Sequence, residues 1–213
     1  KSSCVATTVA IAKEAQELLK EKKMAITVSA IAKDLGVGTC ASKHRLSAVV
    51  KLRLAKTRHK ALRARKVAIL GKKATLKSTR RLWGQSVAPT ALYGSAVCGL
   101  SQRQMQGLRT SAVLSLGFTS RQQCVTSSLA FGLGICADPA IRVPVDIAQQ
   151  WLAYRFSPAY HPVACGKAWK EAVNRLQPVK SRWSRVCGPL HAMVATLLDL
   201  KWAPLQPDLW EDA

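Results

Sequence analysis

Apolar positions follow two regimes along this chain. In residues 1–42 they come in short runs. Ser2 to Thr7 reads as a strand, and Thr8 caps a helix to about Lys23 with Val9, Ala12, Ala15, Leu18 and Leu19 on one face. Ala25 to Ile31 alternates as a second strand, and Asp34 to Gly38 is a glycine-punctuated turn. This strand, helix, strand, turn unit is too small to bury a core alone, so it is expected to be one edge of an α+β domain.

From Lys43 the period lengthens. Leu46, Val50, Leu54, Thr57, Ala61, Ala64 and Ala68 recur every three or four residues, the spacing of one narrow helical face. Its change from Leu and Val to Ala predicts close packing against a neighbouring helix. Gly71 ends this helix, and a second one carrying Leu76, Leu82, Trp83 and Val87 is expected to stop at Pro89. Further helices are predicted over Ser101–Leu116, with Met105, Leu108, Ala112 and Leu116 on one side, and over Pro139–Phe156, with Asp138 and Pro139 at N-cap and N1. The region from Pro158 onward holds four of the six Trp, with helices expected near Cys165–Leu176 and Arg182–Leu200. The fold class expected is mainly α: a small α+β edge over 1–42, then a basic helical bundle with a basic region at 43–100 and a helical C-terminal extension at 101–213.

Charge sharpens this picture because it belongs to one segment. Between Leu35 and Ala137 there are eighteen Lys and Arg and no Asp or Glu, and fifteen of those cations lie between Lys43 and Arg81. That stretch carries +18 of the chain's net +22. Solvated helix faces normally mix signs, so a field this unbalanced points to a polyanion as partner, nucleic acid ahead of an anionic membrane or an acidic protein. On the predicted helix Arg53, Lys56, Lys60 and Arg63 flank the apolar seam on one side, and Lys51, Arg58 and Arg65 on the other. A helix built this way can dock on a core and still offer charge to phosphates.

Catalytic signatures are missing. The sequence has no Walker A motif, no dinucleotide-binding glycine pattern and no H-E-x-x-H, and its eleven carboxylates are too dispersed to suggest a metal pair. Seven scattered Cys without a C-x-x-C pair read as reduced thiols. His161 with Cys165 and Cys187 with His191 form two one-turn pairs, but they lack common zinc-finger spacings and read as core cysteines and partly exposed histidines, so no metal site is expected. No apolar run reaches the roughly eighteen residues of a membrane helix, so the chain is expected to be soluble and intracellular, nuclear and cytoplasmic, with no membrane partner. Its first residue is Lys and its opening residues already read as a strand, so it is expected to begin inside a longer protein.

Three patches, read in order, resemble the reverse transcriptases of non-LTR retrotransposons. Lys1-Ser2 and the following strand resemble the N-x-x-K-[ST] strand after the catalytic aspartates. Ala32-Lys33-Asp34-Leu35-Gly36-Val37 resembles the K-x-L-G-V turn of the primer grip. Val87-Ala88-Pro89-Thr90-Ala91-Leu92-Tyr93-Gly94-Ser95-Ala96-Val97-Cys98-Gly99-Leu100 resembles the P-x-A-L-Y-G-x-E-V-W-G segment of the thumb and downstream region. The sequence departs from that segment at Ser95, where an acid is common, and at Cys98, where an aromatic is common. The resemblance covers about Lys1 to Phe156.

The resemblance implies a role for each patch. Residues 1–42 would be the last part of the palm, 43–100 the thumb and 101–213 a downstream extension. Lys1 would be a general acid for departing pyrophosphate, and Leu35, Gly36 and Val37 the turn that supports the primer terminus. Lys51, Arg53, Lys56, Arg58, Lys60, Arg63, Arg65, Lys66, Lys72 and Lys73 would follow the backbone of an RNA template and DNA primer. The family's paired aspartates would lie upstream with the rest of the palm and the fingers, together with the Mg2+ they hold, so this chain needs no cofactor of its own and is expected not to polymerise alone. A free-standing basic helical module that binds RNA or DNA without enzymatic role remains the alternative.

Overall fold

A computed structural model describes residues 2–4, 8–22, 24, 26–28, 32–34, 37–39, 45, 48–71, 75–118 and 124–212. It is mainly helical. Near the start, β1 (Ser2–Cys4) and β2 (Ile26–Val28) pair in parallel across α1 (Val9–Glu21), whose N-cap Thr8 accepts from the Ile11 amide at 3.4 Å. Ala12 is buried, but Leu18 is exposed although it lies on the face expected to be apolar, and so is Ile11. The described residues of this small unit supply too little surface to cover a whole helix face.

The expected turn lies in an antiparallel hairpin. β3 (Ala32–Asp34) pairs with β4 (Val37–Thr39), with Asp34 opposite Val37. Leu35 and Gly36 lie outside the described residues, as does Lys1.

α2 (Ala48–Leu70) is the long basic helix. Thr57, Ala61 and Ala64 are buried and Val50 and Leu54 half-buried, so the predicted seam is the buried face. Its main neighbour is α6 (Gln102–Ser115), which presents Leu108, Ser111, Ala112 and Ser115. Small residues on both helices bring the backbones close, and the Thr57 hydroxyl is satisfied by the Arg53 carbonyl at 2.9 Å.

The next helix does not stop at Pro89. α3 (Leu76–Leu82) runs through a π-helical turn, Trp83–Val87, into α4 (Ala88–Leu92). The Ala88 amide donates to the Trp83 carbonyl, an i to i−5 bond, so the ladder slips by one residue just ahead of Pro89, which has no N–H to donate. A short α5 (Ser95–Cys98) follows.

α6 begins as predicted, with a capping box between Ser101 and Gln104. α7 (Val125–Gly132), which periodicity did not reveal, precedes α8 (Pro139–Arg155), where Asp138 caps the Ala140 amide at 2.9 Å. The Arg109 guanidinium grips that same carboxylate with two hydrogen bonds, 3.0 and 2.8 Å, tying α6 to α8.

α9 (Pro162–Leu176) and α10 (Pro189–Asp199) complete the helices; Arg182–Arg185 is a separate 3₁₀ turn, because Gly188-Pro189 restarts the chain rather than continuing one helix. β5 (Trp202–Gln206) and β6 (Leu209–Asp212) form a final antiparallel hairpin. It is pinned by two buried indoles: Trp169 Nε1–H donates to the Pro204 carbonyl at 2.9 Å and Trp151 Nε1–H to the Pro207 carbonyl at 3.2 Å. One hydrophobic cluster runs from Ala61 on α2 to Leu197 on α10, so the basic helix and the C-terminal helices share a core.

Candidate nucleic-acid interface

The two cationic flanks of α2 meet different surroundings. On one side an open groove of about 1220 Å³ lies between α2, α6 and the 180–184 segment. Lys51 and Arg58 line its α2 wall, Arg103 the α6 side, and Arg45, Lys180 and Arg182 one end. Six cations face one acid, Asp199, and that acid is already engaged: Trp183 Nε1–H donates to its Oδ2 at 2.7 Å, and Arg182 Nη1 stands 3.3 Å from its Oδ1. Arg182 Nε is buried without a hydrogen-bond partner among the described residues. The groove therefore has an excess of positive charge.

The groove is held by polar cross-links as well as by packing. The Arg45 amide donates to the Ser184 carbonyl at 2.7 Å, and its guanidinium donates to the Cys98 and Gly99 carbonyls at 2.6 and 3.1 Å. Gly99 has φ +62°, and a β-carbon there would lie 2.0 Å from the Trp183 ring, so only glycine lets the indole settle against α5. Gly107, in the middle of α6, is different: a β-carbon would meet nothing within 4 Å. It keeps the groove floor open at the cost of helix propensity, roughly 1 kcal/mol relative to Ala.

The other flank is a wall rather than a groove. Arg53 donates to the Tyr93 carbonyl and lies over the Tyr93 ring, 5.5 Å from its centroid. Burial draws its pKa below the ordinary guanidinium value, an effect that Cys98 and Tyr93 oppose. Lys60 Nζ–H donates to Thr90 Oγ1 at 2.7 Å. Lys56, Arg63 and Lys66 are exposed on α2 but do not line the groove, and Arg65 is half-buried with Nε unpaired among the described residues. Arg80 donates to the Phe131 and Gly132 carbonyls at 2.7 and 2.6 Å and so closes the end of α7.

Of the ten cations expected to track phosphate, the groove thus gathers Lys51 and Arg58. Lys72 and Lys73 lie outside the described residues, and Val37 is described only as backbone in β4. Arg45, Arg103, Lys180 and Arg182 join the groove from elsewhere in the chain. Arg103 was visible as a lone cation at the start of a predicted helix, while Lys180 and Arg182 sit in a charge-balanced region that carried no signal.

The metal-ligand types named in the sequence have other duties. His161 Nδ1 accepts from the Ala164 amide at 3.3 Å as the N-cap of α9, Cys165 is buried, and Cys187 lies against Arg175 at 3.7 Å. Among the described residues no group of three or more His, Cys, Asp or Glu is gathered where it could hold a metal ion. Among them, too, no helix is long and apolar enough to cross a membrane. Compared with known protein families, curated proteins and solved structures, the chain matches none.

Proposed function

We propose that this chain binds nucleic acid through the α2–α6 groove, as the template-primer grip of a non-LTR retrotransposon reverse transcriptase whose catalytic aspartates and Mg2+ lie outside it. The observation that carries the binding is the groove itself, where Asp199 pairs with Arg182 and five further cations line the same space. Phosphate contacts of this kind hold a backbone without reading sequence. Gly107 lets that backbone come close to the α6 main chain. The parallel pair β1 and β2, followed by the β3–β4 hairpin, supports the palm-edge and primer-grip part of the reading, in which Leu35, Gly36 and Val37 would support the primer terminus and Lys1 would act as general acid. RNA template and DNA primer are the partners, and the chain grips them rather than polymerising.

The second reading, a basic helical RNA/DNA-binding module without enzymatic role, is favoured by one observation. Every described residue that lines the groove lies between Arg45 and Asp199, so residues 1–42 contribute none of them. Fluorescence anisotropy with a labelled RNA/DNA primer-template and matched single strands, titrated with salt, separates the two. The polymerase reading expects a steep salt slope and preference for the primer-template. Equal affinity for every nucleic acid would leave the module, and weak, salt-insensitive binding would remove both.

A further inference from the structure

Beside the basic groove lies a smaller open cavity of about 250 Å³, lined by residues of α6, α8 and the end of α10. The two share Gln102, Trp183 and Asp199 in their linings, so they adjoin at the N-terminal end of α6. The walls are mostly apolar, with Met105, Val143 and Ile147 prominent, and the exposed amides of Gln102 and Gln106 stand at the rim. Pro144, inside α8, also lines it.

The cavity falls below the roughly 300–1,000 Å³ of drug-sized ligand sites, the scale of a single ring system. Flat apolar walls with amide groups at the edge suit a nucleobase, whose faces are apolar and whose edge carries donors and acceptors. Trp183 stands where the two spaces meet, held by Asp199 and by its contact with Gly99, so an aromatic wall is in place before anything binds.

Resting on the nucleic-acid reading above, we propose that this cavity takes one unstacked nucleobase of a strand whose phosphates lie in the groove. A base still paired in a duplex could not enter. The ligand class is therefore a strand with at least one unpaired nucleotide: a single strand, or a duplex with an unpaired extension, in preference to a blunt duplex.

The test uses the full chain and single strands in which one nucleotide at a time is made abasic, leaving every phosphate in place. One position is expected to lower affinity about tenfold, the effect of losing one stacked base. Met105→Trp, which fills the cavity, should lower affinity for the intact strand by a similar factor and make the abasic change silent. If that variant misfolds by circular dichroism, Gln106→Ala at the exposed rim reads the same coupling. Abasic strands that bind as tightly as intact ones at every position would overturn the proposal while leaving the groove untouched. Failure of intact and abasic strands alike to bind would overturn the groove reading and this inference with it.

Discussion

The two flanks of α2 are equivalent on a helical wheel and differ in the folded chain. Arg53 and Lys60 turn to the carbonyl of Tyr93 and the hydroxyl of Thr90 and hold α4 in place. Lys51 and Arg58 line an open groove together with Arg103 and Lys180. A run of like charge is thus divided by its neighbours into a structural share and a ligand-facing share. Exposure alone does not separate them, because Lys56 and Arg63 are exposed and yet belong to neither wall of the groove.

Charge reversal should split the flanks most strongly. Lys51→Glu, Arg58→Glu and Arg103→Glu together are expected to weaken nucleic-acid binding roughly 100-fold at 0.1 M salt and to flatten the salt slope by about two to three units. Lys56→Glu, Lys60→Glu and Arg63→Glu together should cost less than about fivefold, through the long-range field alone. Anisotropy on both variants decides the matter, and equal losses would erase the distinction drawn here.

A narrower effect comes from the groove floor. Gly107→Met should reduce affinity about tenfold, a loss of about 1.4 kcal/mol, without lowering the melting temperature, since the helix gains a better former and the added side chain meets open space. A fall in thermal stability would show that Gly107 serves packing instead. On the opposite flank, Arg53→Ala should do the reverse. It loses a charged hydrogen bond and a ring contact at a partly exposed site, about 1 kcal/mol in a denaturant titration, with affinity changed by less than about twofold.

The smallest effect separates fold from charge. Burial, and then the nearby Arg175, lower the pKa of His191 at the start of α10, with Glu171 opposing. Between that folded value and the unfolded value of about 6.5 the unfolded chain holds the extra proton, so stability is full above about pH 6.5 and declines as pH falls below it. His191→Gln should flatten that part of the curve of melting temperature against pH. Both flanks are Lys and Arg, so the affinity gap between the two reversal variants should survive the same pH change.

Much of the helical architecture was legible because it depends on local terms. Of the seam, Thr57, Ala61 and Ala64 are buried and Val50 and Leu54 half-buried, as the spacing required, and Thr8, Ser101 and Asp138 cap the helices that follow them. The β5–β6 hairpin was not predicted, and it depends on long-range partners: the Pro204 and Pro207 carbonyls accept from two buried indoles far away in sequence. Pro89 was expected to stop its helix, but the chain passes through a π turn just ahead of it and continues as α4.

Sequence by itself determined that this is a mainly helical chain with its positive charge concentrated on one long helix, because periodicity, capping and net charge are sums over neighbouring residues. Only the tertiary structure decided which of those charges face a ligand. That choice depends on Arg103, Lys180 and Arg182 arriving beside Lys51 and Arg58 from 45 to 131 positions away. No local pattern can report it, because long-range packing sets the distances over which charges add.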